Sequence, residues 1–415
     1  MARTVAALPP GARLTDYISL GVLAKTFPVD VINRVLAETR TASVRQRELP
    51  AHVVIYYVIA LALYMQVSYR EVLRCLLDGL QWILGEGAVV KITGKSGISQ
   101  ARTRLGAAPV QQLYAAIVTP IAVPATKGAW YRQWRLMTLD GTTLDVADTV
   151  ANVAAFGRPG ASRGTSAFPQ IRLVALVENG THVLCGAALD AYAVGETTLA
   201  RRVWPTLTSG MLCLADRAFF GWDAWTQARA TGADLVWRIK HNLQLPVHTS
   251  HADGSYQSVI YPSRRDRRHQ TAGVAVRVID YQVEGVTDAE PLYRLVTTLL
   301  DPAEAPATEL AALYHERWEI ETALAELKTH LRGPRIVLRS KTPDLVRQEC
   351  YGLLLAHFAV RGLMHDAALS AQADPDRLSF VHAVRVVRRQ LSRGVAIPPS
   401  GPGGVPPRRA PGTPR

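Results

Sequence analysis

Cysteine is scarce in this chain. Cys75, Cys185, Cys213 and Cys350 lie far apart and form no CxxC pair. That argues against a disulfide framework or a cysteine zinc site, and it suits reduced thiols in a cytoplasm. Long hydrophobic runs are missing too. The most apolar stretch, VVIYYVIALALYMQV from Val53 to Val67, is shorter than the roughly 20 residues that span a bilayer, and it reads as a buried helix. No signal peptide is expected at the N-terminus, and no repeat of fixed period is evident. Acidic residues are in deficit: 34 Asp and Glu face 47 Lys and Arg, leaving a net charge of +13. Such a surplus attracts polyanions, of which nucleic acid is the commonest. An arginine-rich composition inherited from a GC-rich genome is the blander explanation. What remains is ordinary: 415 residues, 48% hydrophobic, enough for two or three domains with a sizeable core.

The pattern along the chain changes character several times. Residues 1–13 read as a flexible tail and 14–125 as a helical domain. Asp30 looks like a helix start, and Ser68-Tyr-Arg-Glu71 has the spacing of a capping box. A break spans Gly85 to Gly97, with turns at Gly94-Lys95 and Ser96-Gly97. The short helix after it carries Gln100, Arg102 and Arg104, which an exposed face could lay against DNA in the manner of a helix-turn-helix reader; a solvated helix face is the plain alternative. Residues 126–240 alternate strands and helices, as in an α/β sheet. Arg135–Asp140 reads as a strand and Thr142–Ala147 as its hairpin partner, turning at Gly141. Residues 241–305 are β-rich around a basic loop, Arg264-Arg265-Asp-Arg-Arg-His269, and read as an inserted β subdomain. A long helix within 306–335 stops at Gly333-Pro334. Helices fill 336–393, and the Pro/Gly/Arg-rich 394–415 has almost nothing apolar to bury and reads as disordered.

Two acids stand after apolar strand runs: Asp140 after RLMTL and Asp216 after MLCLA. At the ends of strands in an open α/β sheet, side chains project from the edge and ligands bind. Carboxylates there can converge on a hard cation, since Mg²⁺ needs only a few and keeps several waters. Two such ions about 4 Å apart clamp both oxygens of a phosphodiester displacement. Taken singly, either acid could equally cap a turn. On the long helix, Tyr314, Arg317, Glu321 and Lys328 fall within roughly 60° of one another at 100° per residue. The carboxylate could complete a metal site, with Arg317 and Lys328 holding phosphates beside it. With Glu316, Glu319 and Glu326 close by, a solvated, salt-bridge-laced helix fits that pattern as well.

The spacing Tyr314-x2-Arg317-x3-Glu321-x6-Lys328 resembles the Tyr-Arg-Glu-Lys signature of the insertion-element-four family of DDE transposases, and LYHERWEIE around it is close to that family's wording. Leu139-Asp-Gly-Thr is similar to the family's first-acid motif. Leu214-Ala-Asp-Arg-Ala-Phe-Phe-Gly is similar to the second, with Ala218 where glycine is usual. The stretch from about Phe27 to Leu105 resembles the family's N-terminal domain.

The resemblance implies an α/β, RNase H-like catalytic core with an inserted β subdomain, preceded by helices and followed by C-terminal helices and a tail. It implies that Asp140, Asp216 and Glu321 hold two Mg²⁺ ions, with Mn²⁺ able to substitute, and that a bacterial enzyme cuts and pastes DNA by successive phosphoryl transfers, including a hairpin step. In relatives that step uses an aromatic side chain from the insertion. Residues 241–305 contain no Trp, so Tyr256, Tyr261, Tyr281, Tyr293, Trp237 and Trp318 are the candidates, core packing being the alternative role for each. The expected partners are double-stranded DNA (inverted-repeat ends and target) and a second copy of the chain in the synaptic complex, with no membrane. Arg217, Arg264 and Arg265 join Tyr314, Arg317, Lys328, Gln100, Arg102 and Arg104 as expected DNA contacts, and Arg385–Arg393 is a further basic stretch. A junction resolvase, a non-mobile DNA-binding relic and a two-carboxylate glycosidase are the rival readings; the basic surface and the Arg and Lys beside the third acid disfavour the last.

Overall fold

The computed structural model describes residues 23, 25–43, 49–73, 95–161, 164–283, 292–333 and 336–390. The expected tails at 1–13 and 394–415, most of the 85–97 break and the Pro334 stop lie outside the described residues.

The helix Ala51–Leu63 carries the apolar run and buries twelve of its residues. Its hydroxyls are satisfied locally: Tyr56 donates to the Phe27 carbonyl at 2.6 Å and Tyr57 to the Tyr69 carbonyl at 3.1 Å. It packs against the long C-terminal helix Pro343–Ser370. Gly352 lets the two approach, since a Cβ there would sit 2.8 Å from the Val58 carbonyl oxygen. Ser68 does cap the next turn, accepting from the Glu71 amide at 3.3 Å. Asp30, by contrast, lies inside the helix Val29–Glu38, which begins at Pro28. Ser96 and Gly97 are helical rather than a turn, within Lys95–Leu105.

Twelve strands are described: β1 (Trp130–Tyr131), β2 (Trp134–Asp145), β3 (Gly160–Ala161), β4 (Gly164–Thr165), β5 (Gln170–Glu178) and β6 (Val183–Ala191), then β7 (Met211–Ala215), β8 (Asp234–Ile239), β9 (Thr249–Ser250), β10 (Tyr256–Ile260), β11 (Val274–Tyr281) and β12 (Tyr293–Thr297). The main sheet runs β6-β5-β2-β7-β8-β12-β11-β10-β9. Its first five members are an antiparallel meander, β2-β5-β6, extended on the other side of β2 by β7 and β8, both parallel. That is the arrangement expected of an RNase H-like core. Alternation at period two gives the sheet two apolar faces. Leu136, Leu212, Leu214 and Val236 pack on the helix Ala307–His315, while Met137, Leu139, Cys213 and Trp237 belong to the main core on the other face.

Three expectations change here. First, β2 does not turn at Gly141; it continues to Asp145, paired with β5 throughout. Second, the inserted strands form no sheet of their own: β12 pairs antiparallel with β8, so β9–β12 prolong the core sheet. Third, the long helix is composite: Ala307–His315, a 3-10 turn Glu316–Trp318, Glu319–Ala325, and a π segment Glu326–Leu331. The basic loop at 264 is itself a short helix, Arg264–His269, N-capped by Ser263 and with no buried residue.

Candidate active site

The sheet has a step at its centre. β2 and β7 pair in parallel up to Leu139↔Ala215, after which β7 ends while β2 runs on beside β5. Asp140 and Asp216 are the first residues past that last pair. The register therefore sets them side by side on strands about 4.8 Å apart. Asp140 thus stands mid-strand, at the point where its neighbour stops. Both carboxylates are held by the same local contact: Asp140 Oδ1 accepts from the Gly141 amide at 2.7 Å, and Asp216 Oδ1 from the Arg217 amide at 2.6 Å.

Glu321 arrives from the composite helix, whose Ile320, Ala323 and Leu324 are buried in the core and so turn the carboxylate outward. Arg317 lies between the first acid and the third. Its guanidinium lies 3.7 Å from Asp140 Oδ2 and 3.8 Å from Glu321 Oε1. At those separations it balances charge without making a close bidentate pair. Burial pushes the Asp140 carboxyl above its usual value. The Gly141 amide and Arg317 oppose that, while Glu196 and Asp216 add to it. Asp140 and Asp216 side by side, with Glu321 joined to Asp140 through one guanidinium, offer oxygen donors of the kind a hard divalent cation takes; among the described residues the three are not a group whose ligand atoms all lie within 4.8 Å of one another.

Glu196 is the member that sequence reasoning missed. It sits in the first turn of the helix Glu196–Val203 and pairs with Arg172 at 2.8 Å. Its carboxylate reaches across β2 because residue 141 has no side chain; a Cβ on Gly141 would lie 2.6 Å from Glu196 Cδ. No strand-end pattern announces it, and only the close approach at glycine shows it. The other nearby acids are engaged elsewhere: Asp145 accepts from Gln170 at 2.7 Å, and Asp148 pairs with Arg158 at 2.5 Å.

The remaining expected contacts divide. Lys328 reaches back to β2, donating to Thr142 Oγ1 at 2.8 Å, and burial lowers its pKa. Tyr314 departs from expectation: it is buried rather than on an exposed face, and its hydroxyl donates to the Ala215 carbonyl at 3.4 Å. It braces the strand end that presents Asp216. Arg102 needs the firmest correction. It is 2% exposed, donating to Gln348 Oε1 at 2.8 Å, Ser340 Oγ at 3.0 Å and the Leu345 carbonyl at 3.3 Å. An arginine so placed staples the N-terminal helices to the C-terminal one and has no face for DNA. Gln100, Arg104, Arg217, Arg264 and Arg265 are on the surface. Among the aromatics, Trp237 is removed from candidacy, being fully buried and stacked with Trp204. Trp318 is 59% exposed, next to Arg317.

The glutamates on the helix's other side overturn the solvated reading of that face. Glu326 is buried, bonded to Arg361 Nε at 2.8 Å and to His357 at 3.1 Å. Glu319 Oε2 accepts from the Gly180 amide at 2.6 Å.

Comparison with known proteins places the chain's two halves consistently. Residues 17–115 match the family described as insertion element 4 transposase N-terminal, and residues 135–359 match the transposase DDE domain. The chain is 28% identical over 383 residues, covering 91% of it and 83% of the relative, to the transposase InsG for insertion sequence element IS4 of Escherichia coli (strain K12). It is also 28% identical over 233 residues to the putative transposase InsZ of the same organism, covering 56% of this chain and 72% of that one. Among solved structures it resembles a piggyBac transposase synaptic complex with hairpin DNA at 11% identity and a TM-score of 0.48, covering 91% of this chain and 80% of that one.

Proposed function

Because the chain belongs to the insertion-element-4 family of DDE transposases, enzymes that cleave DNA and transfer strands, we propose that Asp140, Asp216 and Glu321 form its nuclease centre, that they hold two Mg²⁺ ions (Mn²⁺ substituting), and that the substrate is the inverted-repeat ends of its own element. The observation that carries this is the parallel register ending at Leu139↔Ala215, which sets the first two acids side by side, with Arg317 linking the first to the third. The donor set fits the ions, since carboxylate oxygens are what Mg²⁺ prefers. When bound, such ions neutralise charge on the phosphodiester and activate the nucleophile.

The chain's own side chains have separable tasks. Asp140 and Asp216 are each fixed at Oδ1 by the neighbouring amide, which leaves Oδ2 of each for a cation once Arg317 gives way at Asp140. Arg317 can leave the carboxylates for a phosphate once cations balance the acids, its planar fork suiting that anion. Lys328, anchored near Thr142, holds a second phosphate along β2. Arg217 and the exposed arginines of the helix Arg264–His269 give the duplex further phosphate contacts, and Gln100 and Arg104 remain available to the terminal repeat. Trp318, exposed beside Arg317, is the aromatic placed to stack on an extruded base during hairpin formation. Two copies of the chain acting on two element ends is the expected assembly. No described helix is long and apolar enough to cross a membrane.

The test is cleavage of a duplex carrying the element's own end, with Mg²⁺, by the parent and by Asp140→Asn, Asp216→Asn and Glu321→Gln. Each substitution is expected to lower cleavage on the order of a thousandfold, the rate equivalent of about 4 kcal/mol of lost charge stabilisation, while end binding persists. A folded variant that cleaves at the parental rate would remove that residue from the centre.

A further inference from the structure

We propose that His182, Glu319 and Asp376 form a second metal site, separate from the acid trio, that takes a transition-metal divalent cation, Zn²⁺ above all. His182 Nε2 lies 3.0 Å from Asp376 Oδ1 and 3.8 Å from Glu319 Oε2. The three donor atoms all fall within 4.8 Å of one another. A tetrahedral Zn²⁺ with bonds of about 2.0–2.2 Å needs donors roughly 3.3 Å apart, so a modest closure by Glu319 completes the set. A nitrogen donor with two carboxylates suits zinc better than magnesium, and a solvent molecule would take the fourth position.

An acidic cluster alone would not make a site; the histidine does. His182 is 3% exposed, and its Nε2 is aligned for a hydrogen bond with neither neighbouring carboxylate. The ring is aimed into the cluster, its outer nitrogen at ion-pair distance from Asp376 but out of line for a hydrogen bond. Its other nitrogen, Nδ1, faces Arg361 and stands 3.5 Å from Glu326 Oε1. The backbone is built for this placement. His182 itself has φ +57°, and Gly180 makes an approach to Lys127 that leaves no room for a Cβ.

The three ligands come from three separate segments: the turn between β5 and β6, the composite helix, and the 3-10 turn Pro375–Arg377 that follows the long C-terminal helix. A metal here clamps those segments together, two residues from Glu321 along the helix. The site does not depend on the assignment of the acid trio.

The experiment uses the full chain with Asp140→Asn, Asp216→Asn and Glu321→Gln combined, so that the trio does not retain metal. After equilibrium dialysis against Zn²⁺, mass spectrometry is expected to count one zinc per chain, and zinc is expected to raise the thermal midpoint. Adding Asp376→Asn or His182→Gln should weaken binding at least tenfold and abolish that rise. Asp376 is partly exposed, so its substitution is the one least expected to disturb folding, with the metal-free midpoint as the control. Co²⁺ bound to the unsubstituted site should show the intense visible bands of four- or five-coordination. No retained zinc, no such bands, or undiminished binding by both variants would each overturn the proposal.

Discussion

The two sides of the composite helix carry the same residue type in opposite circumstances. On one side Glu321 is half-exposed and meets Arg317 only at 3.8 Å. On the other, Glu326 is buried against Arg361, His357 and His182. The carboxyl groups answer accordingly. Burial raises Asp140, which shares Arg317 with Glu321, above its usual value. Burial acts on Glu326 in the same direction, but hydrogen bonds from His182 and His357 and the charge of Arg361 outweigh it and hold the group well below the carboxylate range. A side chain already satisfied by its fold has little left for a ligand. One that is crowded by like charge and loosely paired is ready to trade its neighbour for a cation.

That contrast can be broken in four ways, in order of expected size. Glu326→Ala strips Arg361 and His357 of their partner inside the protein and should cost about 3–5 kcal/mol in denaturant unfolding. Glu321→Gln, measured in parallel, should cost almost nothing. Equal losses would erase the distinction between the two sides. Lys328→Ala should slow strand transfer about tenfold, roughly 1.4 kcal/mol, with stability nearly intact. A loss confined to stability would make Lys328 a structural partner of Thr142. Acid should act next. Stability contributed by the depressed Glu326 is fully present above about pH 4.3 and is lost as pH falls through its folded value. Asp140 works in reverse, since its raised group is relieved by protonation. The parent should therefore lose more stability between about pH 4.3 and 3 than Glu326→Gln does; parallel curves would assign the acid sensitivity elsewhere. Smallest is Gly141→Ala. The new methyl displaces the flexible end of Glu196, so unfolding should shift by no more than about 1 kcal/mol while cleavage falls. Glu196→Ala and the double variant should cleave alike, because the two changes act through one contact.

The legibility of the sequence followed the range over which each signal acts. Asp140, Asp216 and Glu321 stand out as a set through the resemblance of their motifs to a known family, since strand ends and helical spacing alone leave turn caps and a solvated face open; the strand register then sets the first two side by side. Misreadings arose where the deciding partner was remote. Arg102 looked like a surface cation because Gln348 and Ser340 are more than 230 residues away. Gly141 looked like a turn, whereas its missing side chain serves Glu196, which arrives from another helix. Glu326 looked solvated because local spacing cannot show that the C-terminal helix covers it. The inserted strands were visible as strands, but their pairing to β8 is a matter of tertiary contact that composition does not encode.

The antiparallel pairing of β12 to β8 has a mechanical consequence. From β2, which bears Asp140, to β10, whose end leads into the arginine-rich helix Arg264–His269, there are five neighbouring-strand steps, β7, β8, β12, β11 and β10. At about 4.8 Å each, they measure out roughly 24 Å, close to seven base-pair rises of a duplex at about 3.4 Å apiece. The arginines are thus carried at the end of the same hydrogen-bonded ladder that bears Asp140, so under the function proposed above the spacing between grip and cut is built into the sheet instead of left to a swinging arm.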